Sequence, residues 1–181
     1  MSDYDKVRRQ YKPTNIKILF IAESPPPEAG VQSSRHFYRS EKVRKDDRLF
    51  VNTIKALFPD AANLTEALIE PEKEKWLQRF KAAGYYMIEA LIQSQAHEVT
   101  KEERQKRIKD TLPDLIARVH ELAAPETNII LIKSNVFEVA AQPLRAAGFK
   151  VLNTELVDYP GRFNQKDYRE KLRRLTTAFQ S

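Results

Sequence analysis

A chain of 181 residues with 41% hydrophobic content is the size of one domain with a real core. It contains no cysteine, which excludes disulfides, thiolate nucleophiles and cysteine-ligated zinc or iron–sulfur centres. No run approaches the roughly 20 apolar residues of a membrane span, and the Met-Ser-Asp-Tyr-Asp-Lys start lacks the basic-then-apolar pattern of a secretion signal. The expectation is a cytoplasmic protein without a membrane partner. Net charge is +6. Residues 1–60 carry 12 basic and 8 acidic side chains and residues 125–181 carry 9 and 6, whereas 61–124 carry 10 and 11. A basic excess at the two ends of the chain suits a surface patch that faces phosphate.

In chain order, Ile16–Ala22 reads as a buried first strand that stops at Ser24-Pro25-Pro26-Pro27, because proline cannot continue a ladder. A polar loop with Arg35, Arg39, Lys42, Arg44 and Lys45 follows, to about residue 45. Asp46–Phe58 places Phe50, Ile54, Leu57 and Phe58 on one helical face. Pro71 opens a further helix that Gly84 terminates. Tyr85–Ile88 is the second strand and ends at Glu89. Thr100 with Glu103 spells a capping box. Pro113 interrupts that helix, and Thr111 is the expected cap of a second one running to Ala123. Asn128–Ile132 is an almost wholly apolar third strand, as burial on both faces requires. Ser134 or Asn135 is the expected cap of the next helix, which Gly148 closes. Phe149–Asn153 is the fourth strand, and the last helix spans about Gln165–Phe179.

Strands alternating with helices predict one domain, residues 1–181, of the α/β class: a three-layer αβα sandwich around a short four-stranded parallel sheet. Ligands in such folds bind beyond the carboxyl ends of the strands. That rule selects Glu23–Glu28, Glu89 onward, Lys133–Asn135 and Thr154–Phe163. Glu23 and Ser24 put a carboxylate and a hydroxyl there, before prolines that either hold the backbone for a ligand or merely end the strand. His36-Phe37-Tyr38-Arg39 sets aromatic rings among cations, to stack a base beside a phosphate or to pack in the core. Lys133, Ser134 and Asn135 mark a helix N-terminus, readable as an anion site or as simple capping. Glu89 is a site acid or the first solvated residue. The final helix carries Lys166, Arg169, Lys171, Arg173 and Arg174 as a solvated face or as phosphate contacts. His36, His97 and His120 have no metal-ligand spacing, and His97 and His120 read as surface residues. There is neither a glycine-rich phosphate loop nor a nucleophile elbow. Nothing in the sequence calls for a metal or other cofactor.

Together these segments resemble the uracil-DNA glycosylase superfamily, whose first motif follows strand one as Gly-Gln-Asp-Pro-Tyr-His or Gly-Glu-Ala-Pro-Gly. Ala22-Glu23-Ser24-Pro25-Pro26 is similar to it. Gly84-Tyr85-Tyr86-Met87-Ile88-Glu89 is similar to the family's glycine, apolar strand and base-reading Asn, with Glu89 in the Asn position. Tyr159-Pro160-Gly161-Arg162 falls where the family has its His-Pro-Ser loop, and Phe37 or Tyr38 where an aromatic stacks on the extruded base. The resemblance implies hydrolysis of the N-glycosidic bond of a damaged or modified base in nucleic acid, DNA in the family, with Glu23, Ser24 and Glu89 around the reacting centre. It equally admits a module that binds nucleic acid without the chemistry. Ser24 stands where a water-positioning Asp or Asn would be, and such a hydroxyl only orients water. Glu89 is acceptor-only and suits a base that presents donors. Tyr159 donates one hydrogen bond where the family's histidine stabilises the departing base. These three departures turn the expectation away from standard uracil excision.

Overall fold

The structure, a computed structural model, describes residues 3–27, 35–40, 47–95 and 99–177. Lys42, Arg44, Lys45, His97, Glu28 and Phe179, all singled out from the sequence, lie outside them. The sheet comprises β1 (Ile18–Ala22), β2 (Tyr85–Glu89), β3 (Asn128–Leu131) and β4 (Lys150–Val151), all parallel, in the order β2-β1-β3-β4. Every residue of β1 and β2 is buried. A strand sealed on both faces is largely apolar, which is why β1 and β3 were readable from composition.

The β1-to-β2 crossover carries α2 (Arg48–Leu57), α3 (Glu66–Ile69) and α4 (Lys73–Ala82) on one face. The return to β3 carries α5 (Lys101–Asp110) and α6 (Leu112–Leu122), and α7 (Ser134–Ala146) joins β3 to β4. Right-handed crossovers in opposite directions place these groups on opposite faces. Accordingly α5 packs on α7, while α8 (Gln165–Thr177) comes back beside α2. The expected three-layer sandwich with a four-stranded parallel sheet is present.

Several local expectations need correction. An N-terminal helix, α1 (Asp3–Gln10), was not foreseen: its sequence is polar and only Tyr4 is buried. β4 is shorter than Phe149–Asn153, because the Asn153 side chain replaces the ladder, accepting from the Leu131 N–H (2.7 Å) and donating to the Leu131 carbonyl (2.8 Å). Asp47 caps α2, accepting from the Phe50 N–H. The Thr100–Glu103 capping box is formed in both directions. Thr111 precedes α6 but does not cap it; its hydroxyl donates back to the Arg107 carbonyl. Lys133 occupies the N-cap position of α7 without a side-chain cap, so neither Ser134 nor Asn135 caps that helix.

Gly84 lies at φ +80°, and a Cβ there would meet Lys17 Cγ at 2.8 Å and the Asn15 carbonyl at 3.2 Å. Gly148 lies at φ +90° with nothing within 4 Å of the same position. Gly84→Ala is therefore expected to cost about 2 kcal/mol and Gly148→Ala about 1, the second paying only for the left-handed backbone. Urea unfolding of the two variants measures the difference, and equal costs would refute the crowding at Gly84.

Candidate functional site

The carboxyl edge is assembled by register. Ala22 pairs with Glu89 and Ile21 with Leu131, so Glu23 runs on beside the end of β2 and opposite Lys133. The alternation of a strand turns Glu23 and Glu89 to opposite faces of the sheet. Glu23 therefore meets α5 and α7, and Glu89 meets α1 and the segment 35–40.

Glu23 is 4% exposed. Its Oε1 accepts from Arg104 Nη1 and Lys133 Nζ, each at 2.8 Å, and its Oε2 from Asn135 Nδ2 at 2.6 Å. Burial alone pushes this carboxyl up; the hydrogen bond and charge of Lys133 and the bonds from Asn135 and Arg104 outweigh it and hold the group below the usual carboxylate range. Glu89, also buried, binds Arg8 of α1 through Oε2, while His36 Nε2 lies 3.4 Å from Oε1. Here too burial pushes up, and His36 and Arg8 together bring the carboxyl below its usual range. Arg118 clasps the end of β2, donating to the carbonyls of Glu89 (2.9 Å) and Ala90 (2.7 Å). Both carboxylates are ionised at neutral pH.

Between the two faces a cleft of about 260 Å³ opens at this edge. Its walls include Glu23, Ser24, Pro25, Pro26 and Pro27 from the loop after β1, His36 and Phe37, Glu89, Arg104, Lys133 and Tyr159. The fold thus unites Glu23, Ser24, Pro25, Phe37, Glu89, Lys133 and Tyr159 around one space. Asn135 stands behind it, through Glu23.

Other expected members are not brought there. Tyr38 is fully buried, and its hydroxyl accepts from the Met87 N–H (2.7 Å), covering the outer edge of β2; it has no face left for a base. Ser134 opens α7 and does not line the cleft. Pro160 is buried, Gly161 bonds its N–H to the Tyr159 carbonyl, and Arg162 lies 5.5 Å over the Phe163 ring; none of the three lines the cleft. The cations of α8 are engaged locally: Arg169 with Asn52, Arg173 with the Lys55 carbonyl, Arg174 with Glu155 and Lys171 with Asp167. His120 packs its ring on Phe149.

Sequence reading missed Arg8 and Arg104, in polar helices, and Arg118, on the amphipathic α6, where a solvated face is the default. His36 was grouped only with its aromatic neighbours. Its ring is wholly buried, neither nitrogen makes a hydrogen bond, and it stacks on Tyr4 with centroids 4.1 Å apart. Lys133 has φ +84° and ψ 142°, a backbone region that belongs to glycine, so local strain is held at the cleft wall. Among the described residues no group of three or more His, Asp or Glu could hold a metal ion, and no helix is long and apolar enough to cross a membrane. No family model, curated protein or solved structure matches this chain.

Proposed function

We propose that this chain binds nucleic acid along the carboxyl edge of its sheet and takes a single nucleobase into the cleft, where hydrolysis of the N-glycosidic bond is the reaction its groups suit. The observation that carries the reading is the cleft itself. Phe37 supplies an apolar wall, and Ser24, Glu89, Lys133 and Tyr159 supply polar groups around a space below the 300–1,000 Å³ of drug-sized ligand pockets. Phe37, which lines the cleft, meets the base in place of Tyr38. Glu23 and Glu89, both ionised, favour positive charge developing on the sugar, and Ser24 orients water. Lys133 and Tyr159 offer donors to the departing base. Standard uracil excision is not the expected activity, since the cleft offers a carboxylate where uracil would want an amide.

One observation favours a second reading, a binding module without turnover. Three donors already occupy Glu23, which leaves it one acceptor site for water and makes it a weak base. Single- and double-stranded oligonucleotides carrying uracil, hypoxanthine, xanthine or alkylated bases separate the two readings. Binding should weaken steeply between low and moderate salt, and alkali-labile sites should appear with one modified base. Salt-sensitive binding without such sites would establish the module, and no binding at low salt would end both readings.

A further inference from the structure

We propose that α1 is a positioning element of the cleft, in which Tyr4 and Arg8 hold His36 and Glu89 as a coupled pair. This rests on the cleft being the ligand site. α1 contributes little to the core, since Tyr4 is its one buried residue, and that residue is spent on the cleft. The Tyr4 ring lies parallel to His36 at 6°, and its hydroxyl donates to the Pro27 carbonyl (2.8 Å) on the facing wall. Arg39, bonded to Asp3 of the same helix, lies over the Tyr4 ring at 5.6 Å. One turn further along α1, Arg8 ties Asp5 to Glu89 Oε2.

The consequence falls on His36. Buried ring nitrogens are ordinarily hydrogen-bonded, and both nitrogens of His36 lack a partner. The ring is stacked on Tyr4 instead. With Glu89 turned by Arg8, its Oε1 faces Nε2 at 3.4 Å and attracts the imidazole proton to that nitrogen. Nδ1 is then left without a partner, in a residue that lines the cleft. Three charged groups near the pair are fixed elsewhere. Arg118 is bound to the carbonyls after β2, Asp47 is paired with Lys73, and Lys73 also donates to the His36 carbonyl. Among the described contacts, α1 touches both members of the pair through their side chains.

The test uses the full chain, labelled with ¹⁵N, and an oligonucleotide that the wild type binds. In the wild type the His36 nitrogens should give the signature of a proton on Nε2. Arg8→Met and Tyr4→Ala should shift that signature and weaken oligonucleotide binding about tenfold. Tyr4→Phe, which keeps the stack, and Arg8→Lys, which keeps the charge, should stay within about threefold of wild type. Unchanged His36 signals in Arg8→Met and Tyr4→Ala, or unchanged binding despite altered signals, would overturn the proposal. If the wild type binds none of the oligonucleotides, the nucleic-acid reading fails and this proposal with it. Wild-type binding that all four variants retain removes this proposal alone.

Discussion

Glu23→Gln is expected to destabilise the protein by about 3 kcal/mol, lowering the thermal midpoint by roughly 6–12 °C. The substitution preserves shape but strips the charge that neutralises Arg104 and Lys133 at the end of β1. Removing one partner of a buried ion pair costs about 3–5 kcal/mol. The low end applies because the Lys133 side chain is 32% exposed and can turn to water. The same network makes a pH prediction. Unfolded, Glu23 titrates at an ordinary carboxylate value, near 4.3; folded, it is held lower. Its contribution is therefore complete above the unfolded value and disappears as pH falls through the folded one, and Glu89 behaves likewise. Wild type and Glu23→Gln should converge in stability as the solution is acidified below that range. Urea unfolding from neutral to acidic pH measures both effects; a deficit under 1 kcal/mol at neutral pH would mean that water screens this network.

Lys73→Met is expected to cost about 3–5 kcal/mol. Lys73 is 2% exposed, with Nζ 2.6 Å from Asp47 Oδ2, 3.0 Å from the His36 carbonyl and 4.7 Å from the centre of the Phe50 ring. It joins the N-terminus of α2 to the segment that carries His36 and Phe37. Without it, the Asp47 carboxylate is left buried without its counter-charge, keeping only neutral donors such as the Phe50 N–H, and the His36 carbonyl loses one of its two donors. Burial already pushes the Asp47 carboxyl above its usual range despite Lys73. In the variant Asp47 takes up a proton more readily still, so the deficit should shrink as pH falls. Adding Asp47→Asn to Lys73→Met should recover part of the loss, because the double variant buries no lone charge. Strict additivity of the two single variants would show that the pair is not coupled.

The apolar run of β1 and that of β3, the Thr100–Glu103 capping box and the closing glycines Gly84 and Gly148 were legible in the sequence, because each is a local requirement. A strand covered on both faces is largely apolar, a helix start rewards a hydroxyl three residues before a carboxylate, and a left-handed turn excludes a Cβ. Pattern alone therefore determined the parallel α/β class, and the carboxyl-edge rule then selected Glu23, Ser24, Glu89 and Lys133 as neighbours.

What those residues touch was decided only by tertiary structure. Glu23 finds its partners 81, 110 and 112 residues away, on α5 and at the start of α7. Strand register and crossover handedness bring them together, and neither leaves a mark in the local sequence. Asn135 has the composition of a helix cap, yet its amide is drawn to a buried charge. Tyr38 sits among cations in the sequence, yet its hydroxyl meets a strand edge that would otherwise go unpaired. α1 is polar along most of its length and is fastened by Tyr4, Arg8 and Asp3 to a loop and a carboxylate that only the folded chain presents. Secondary structure answers to periodicity over a few residues. Charge pairing answers to distance in space, and for this site that distance exists only after the sheet has formed.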